Sequence, residues 1–120
     1  MKEISNAIVD IESSLELLVA CGSDGTLVSW LPDLALAQKI STEQPLSSLM
    51  VQNANAICGT ILGQIIVYDM KIGTMIAQVD AHVGPIHCLE IAQETNLMLS
   101  ASEDTTVRVW KTNTKTPNFE

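Results

Sequence analysis

The sequence predicts an all-β fold, with small antiparallel sheets stacked face to face. Three observations predict it. Short apolar runs of about four to seven residues, rich in Val, Ile and Leu, alternate with turn signals along the 120-residue chain. No segment carries the roughly 3.6-residue periodicity of a long amphipathic helix. The strand–turn–strand pattern also returns about every 40 residues, which marks a repeat architecture.

The first unit sets the pattern, with strands predicted over 5–11, 16–21, 26–30 and 34–40. Asp24 and Gly25 separate its second strand from its third. Asp-Gly is a strong hairpin signal because both residues tolerate positive φ. The second unit gives strands 46–51, 56–60, 64–69 and 74–79, with Leu62 and Gly63 at the corresponding turn. The third gives 85–91, 97–101 and 106–110.

Residues 20–30 (ACGSDGTLVSW) align without a gap on residues 100–110 (SASEDTTVRVW). Asp24 falls on Asp104, Thr26 on Thr106, Leu27 on Val107 and Trp30 on Trp110. Residues 58–68 (CGTILGQIIVY) supply the middle copy, with Tyr68 in the tryptophan position. Ala37-Gln38 recurs as Ala77-Gln78, and the run 46–51 recurs as 86–91.

Even spacing of short, apolar strands points to a partial β-propeller of about three four-stranded antiparallel blades, an incomplete ring. The blades are expected near 1–40, 41–80 and 81–120. After Trp110 the tail holds Pro117 and a single large apolar residue, Phe119, so it makes a poor strand. The last blade is therefore expected to lack its outer strand. A ring needs four or more blades. The expectation is thus the C-terminal blades of a longer propeller, or a half-ring completed by another chain or by self-association through open faces.

Composition narrows the function. Net charge is −8, with six basic residues scattered along the chain. Such a surface repels phosphate backbones, so nucleic acid is not expected as a partner. Hydrophobic residues reach 47% but aromatics only 3%, so aliphatic side chains fill the core. No apolar run approaches the roughly 18 residues of a spanning helix, and residues 1–6 hold no apolar stretch like a secretory signal. A cytoplasmic chain without membrane insertion is the expectation. Cys21, Cys58 and Cys88 form no Cys-x-x-Cys pair and are read as reduced thiols acting as small core hydrophobes. His82 and His87, five apart on a strand, fall on opposite faces, so no metal is expected. No glycine-rich phosphate loop appears, and no cofactor is expected.

The third unit resembles the WD-repeat, or β-transducin, family. It carries Ala81-His82 before its first strand, Ser100, Ser102 and Asp104 around its second, and Trp110 closing its third. It departs from the family pattern with Ala81 for Gly and Lys111 for the closing Asp. The first unit keeps Asp24 and Trp30 but has Ala20 for the strand serine. The second is worn, with Leu62 for Asp, Cys58 for Ser and Tyr68 for Trp.

The resemblance implies a structural hydrogen-bond network of His82, Ser100, Asp104 and Trp110, with Ser102 as the alternative hydroxyl. Asp24 and Trp30 are its counterparts in the first unit. The second unit cannot build that network and is expected to depend on packing of Ile57, Ile65, Ile66 and Val67. A Ser-His-Asp set also invites comparison with a catalytic triad. In this family, however, the serine lies within the sheet, so no catalytic residue is assigned. The resemblance further places Pro85, His87 and Glu103 at the mouth of the propeller. The corresponding positions are Ala7 and Ser23 in the first unit, and Pro45, Ser47 and Ile61 in the second. These are the candidate partner-binding residues. In this family the outer strand of the last blade usually comes from the far N-terminus. The implied function is a non-catalytic scaffold or adaptor for protein partners; an enzyme-type propeller working through the central channel is the weaker alternative.

Overall fold

The computed structural model describes residues 8–13, 17–31, 36–42, 44–52, 54–92 and 97–111. Among them lie eleven β-strands in three antiparallel sheets. The first sheet contains β1 (Ile8–Ser13), β2 (Leu18–Gly22), β3 (Thr26–Trp30) and β4 (Leu36–Ser41), paired in chain order. The second contains β5 (Leu46–Gln52), β6 (Asn55–Thr60), β7 (Gln64–Asp69) and β8 (Thr74–Asp80). The third contains β9 (Ile86–Ala92), β10 (Leu97–Ser102) and β11 (Val107–Lys111). The fold is an all-β, unclosed stretch of propeller. Every strand expected from the sequence is present, with ends displaced by a few residues at most. The expected strand residues 5–7, 16 and 34–35, the tail 112–120 and the candidate Ala7 lie outside the described residues.

Burial explains why some strands alternate and others do not. The second sheet lies between the other two. Ala56, Cys58, Ile66 and Tyr68 pack into one core with Val19, Cys21 and Leu27 of the first sheet. Ile57, Ile65 and Val67 point the other way, into a second core with Ile86, Leu89 and Met98 of the third. Consecutive residues of β6 and β7 are therefore all buried. A strand covered on both faces reads as a continuous apolar run rather than an alternation.

Strands β1, β5 and β9 stand side by side, so the sheets meet along their first strands. Two polar contacts tie them together. The Leu49 amide donates to Asp10 Oδ2 at 3.3 Å, and the Ser47 hydroxyl donates to the Ile86 carbonyl.

Among the described residues, the third sheet buries one face only. Leu99 is paired with Val109, and Ala101 with both Val107 and Cys88, which puts these side chains on a common face. Leu99, Val107 and Val109 are 44%, 65% and 58% exposed. Cys88 is exposed too, which corrects its expected place in the core: it lies on the uncovered side of the third sheet. Cys21 and Cys58 are free and buried. Burial, reinforced by the nearby Asp10 charge, pushes the Cys21 thiol up to about 11. Burial also raises Cys58 far above the ordinary thiol range. Both therefore behave as small apolar side chains.

Candidate functional site

Most side chains singled out from the sequence lie toward the end of the stack that carries the β2–β3, β6–β7 and β10–β11 turns, with Trp30 and Trp110 toward the other end of β3 and β11. Each turn needs one residue in the left-handed region. Gly25 (φ +94°) and Gly63 (φ +92°) supply it in the first two. A Cβ on Gly63 would fall 2.0 Å from the His82 carbonyl oxygen, so close approach as well as φ demands glycine there. The third turn has Thr105 at φ 72°. A β-branched residue in that region is strained. The alignment held this signal, since Thr105 sits where the other units have glycine.

His82 bridges two sheets. Its amide donates to the Gly63 carbonyl at 2.9 Å, prolonging the edge of the second sheet. Its ring reaches the third. Nδ1 lies 3.0 Å from Asp104 Oδ2 and 3.0 Å from Thr106 Oγ1, while Nε2 lies 2.7 Å from Ser100 Oγ. Trp110 Nε1 donates to the same Ser100 oxygen at 2.9 Å. Asp104 also accepts from the Thr106 hydroxyl at 2.6 Å and from the amides of Thr106 and Val83 at 2.9 and 3.1 Å. The Thr106 hydroxyl bond leads in holding its carboxyl well below the usual carboxylate range, with the two amides and His82 adding to it against partial burial.

An ionised carboxylate only accepts, so Nδ1 carries the imidazole proton. On the neutral ring Nε2 is then the acceptor. With a neutral ring the protons run from the indole to Ser100, from Ser100 to His82, and from His82 to Asp104. The order of atoms is that of a hydrolytic triad, but the accessibility is reversed. Ser100 is 0% exposed, and the indole caps the oxygen that a nucleophile would present. Ser102 takes another role: its hydroxyl donates to the carbonyls of Pro85 and Gly84 at 2.8 and 3.0 Å.

The first unit shows what the serine supplies. Asp24 Oδ1 accepts the Thr26 amide at 3.0 Å, just as Asp104 accepts that of Thr106. With Ala20 in the serine position, however, the buried Trp30 Nε1 has no hydrogen-bond partner among the described residues. In the second unit Leu62 replaces the aspartate, and Ile57, Ile65, Ile66 and Val67 are each at most 1% exposed.

The remaining candidates divide by accessibility. His87, Glu103, Ser23, Pro45 and Ile61 are exposed, and Pro85 is half-buried. Pro85 and Glu103 meet directly, the Glu103 amide donating to the Pro85 carbonyl at 3.0 Å. The Pro45 carbonyl accepts from the Ile61 amide at 3.2 Å. Ser47 is turned inward onto Ile86, as described above. Sequence reasoning did not single out Val83, which follows His82 and is 91% exposed. Among the described residues no three His, Cys, Asp or Glu side chains come together as metal ligands, and no helix is long and apolar enough to cross a membrane.

With this geometry in view, the chain can be set beside known proteins. The model of the WDR54 family matches residues 4–119. WD repeat-containing protein 54 of Mus musculus is 32% identical over 99 residues, covering 80% of this chain and 30% of the mouse protein. The protein of that name from Homo sapiens is 27% identical over 108 residues, covering 90% of this chain and 30% of its own length. The chain therefore spans about a third of these curated relatives. Among solved structures, a chain in the crystal structure of the mitotic checkpoint complex superposes with a TM-score of 0.82 at 15% identity, over 98% of this chain and 39% of that one. At that identity the likeness concerns fold alone.

Proposed function

From a chain that belongs to the WDR54 family of WD-repeat proteins, we propose a non-catalytic scaffold or adaptor that holds protein partners at the turn-bearing end of its sheets. One observation carries this reading. That end exposes Glu103, Ser23 and Ile61 on turns and His87 at the start of β9, while the Ser-His-Asp chain of the third unit is sealed by an indole. Rigid sheets with exposed loops suit recognition, and a buried serine does not suit acyl transfer. The three units are read as the last blades of a longer, cytoplasmic propeller, needing neither cofactor nor metal.

The test uses affinity capture with the wild-type chain and with a His87→Ala/Glu103→Ala variant, followed by direct binding of the purified captured protein. Loss of binding by a variant that melts like its parent is the expected result. A partner held equally by both proteins would contradict the placement of the surface.

A second reading has its own support. The uncovered apolar face of the third sheet, with Leu99, Val107 and Val109, would suit a half-ring completed by another chain or by a second copy. Sedimentation of the purified chain separates the two. A well-folded monomer speaks against self-completion.

A further inference from the structure

The β6–β7 turn differs from its two counterparts in a way that frees an apolar side chain. In the first and third units an aspartate occupies the turn, and its Oδ1 accepts the amide two residues on. The second unit has Leu62 in that place. The Gln64 amide is bonded instead by Thr60 Oγ1, at 3.0 Å. Leu62 takes no part in holding the turn and is 65% exposed. Ile61 beside it is 43% exposed, with its amide on the carbonyl of exposed Pro45. Val83 is 91% exposed and lies in the chain between two residues whose carbonyl oxygens both crowd Gly63. Four exposed apolar residues thus gather around the β6–β7 turn and form its ridge. Turns normally hold polar residues at such positions, and a contiguous exposed apolar patch marks a contact surface.

The rim of the ridge is acidic. Asp80 is exposed and held by Gln64 Nε2 at 3.0 Å. Glu103 is exposed, and its Cβ lies 3.9 Å from where a Cβ on Gly84 would stand, next to Val83. Among the described residues one basic side chain, Arg108 near the start of β11, lies toward this end, and the others lie farther off. Lys39 is within β4, Lys71 is in the turn at the far end of β7, and Arg108 and Lys111 are on β11. An apolar ridge with acids on its rim complements an apolar anchor with basic neighbours, and excludes acidic segments by repulsion.

We infer that the ridge of Pro45, Ile61, Leu62 and Val83 docks a protein segment that presents a large apolar side chain flanked by Lys or Arg. The inference rests on the scaffold reading above and names the chemistry of its partner. A random peptide library displayed on phage is selected on the whole immobilised chain, and enriched peptides are measured in solution by fluorescence anisotropy. The enriched sequences are expected to carry an aliphatic or aromatic residue beside Lys or Arg. Leu62→Ser/Val83→Ser should weaken them by about tenfold or more, and added salt should weaken them as well. A control pair at the opposite end, Ile72→Ser/Met75→Ser, should leave binding unchanged. Val83→Ser alone removes only a solvent-exposed side chain and serves if the double variant melts lower.

Failure to enrich, peptides without basic residues, or equal binding to the ridge variant would each overturn the inference. So would a concentration-dependent dimer abolished by the same substitutions, since that would give the ridge to a second copy. A captured partner that needs His87 or Glu103 but not Leu62 or Val83 would overturn it too, while leaving the scaffold reading intact.

Discussion

Asp104 is the most heavily engaged side chain of the third unit, and its hydrogen bonds have a consequence in pH. Its folded-state pKa lies below the ordinary aspartate value of about 3.9. A group depressed in this way contributes stability that is complete above that ordinary value and is lost as pH falls through the folded pKa. Asp104→Asn should therefore be destabilising at neutral pH, with a deficit that narrows as pH drops below about 4. Urea midpoints of both proteins across that range check this, and a constant deficit would contradict it. Thr105 presents the opposite case, a residue that costs stability where it stands. Left-handed backbone costs an L-residue roughly 1–2 kcal/mol, and glycine loses roughly 0.5–1 kcal/mol more chain entropy on folding. Thr105→Gly should thus raise stability by up to about 1.5 kcal/mol, read as a higher urea midpoint. Much at this scale was legible beforehand, but the expected place of Trp30 in such a network is corrected by the structure. With Ala20 where the third unit has Ser100, its indole lacks the hydroxyl that Trp110 finds. The orientation of Ser47 was not legible, because a half-buried hydroxyl can turn to solvent or to a neighbouring carbonyl, and only the packing of β5 against β9 decides.

The strands themselves were readable because turn chemistry and apolar runs agree. Asp24-Gly25 and Leu62-Gly63 fix two hairpins, and the strands on either side lie within a few residues of their expected bounds. What the runs could not tell was which face of each strand is covered. In β7 the consecutive residues Ile65, Ile66 and Val67 are all buried, yet the equally apolar Val107 and Val109 of β11 are exposed. The difference lies in what covers each face: β7 has a sheet on either side, whereas the Val107–Val109 face of β11 is open. Position in the stack alone does not decide, because Ala20 and Val28 of the first sheet are also buried, in a cluster of their own with Trp30. Truncation should expose this asymmetry. Ile65→Ala is expected to cost about 2–5 kcal/mol, as for other buried large-to-small changes. Val109→Ala, at a side chain 58% exposed, should fall within about 0.5 kcal/mol of the parent. Equal losses from chemical denaturation would mean that β11 is covered.

In the molecule as a whole, a middle sheet buries both of its faces against neighbours built from the same repeat. Each sheet alone would leave apolar surface in water, and each fully buried Leu, Ile or Val contributes roughly 1.5–3 kcal/mol. The repeat predicted stacking, but it could not predict which face would stay open or that Cys88 would lie on it, since a periodic sequence looks alike at the middle and the end of an array. The most direct test is a methyl NOE spectrum of the folded chain, with Ile65 and Ile66 assigned. Adjacent in sequence, the two residues should contact opposite sheets: Ile65 should reach Ile86 and Met98, and Ile66 should reach Val19 and Leu27. Cross-peaks from both residues to one sheet, or to neither, would contradict the stacked arrangement.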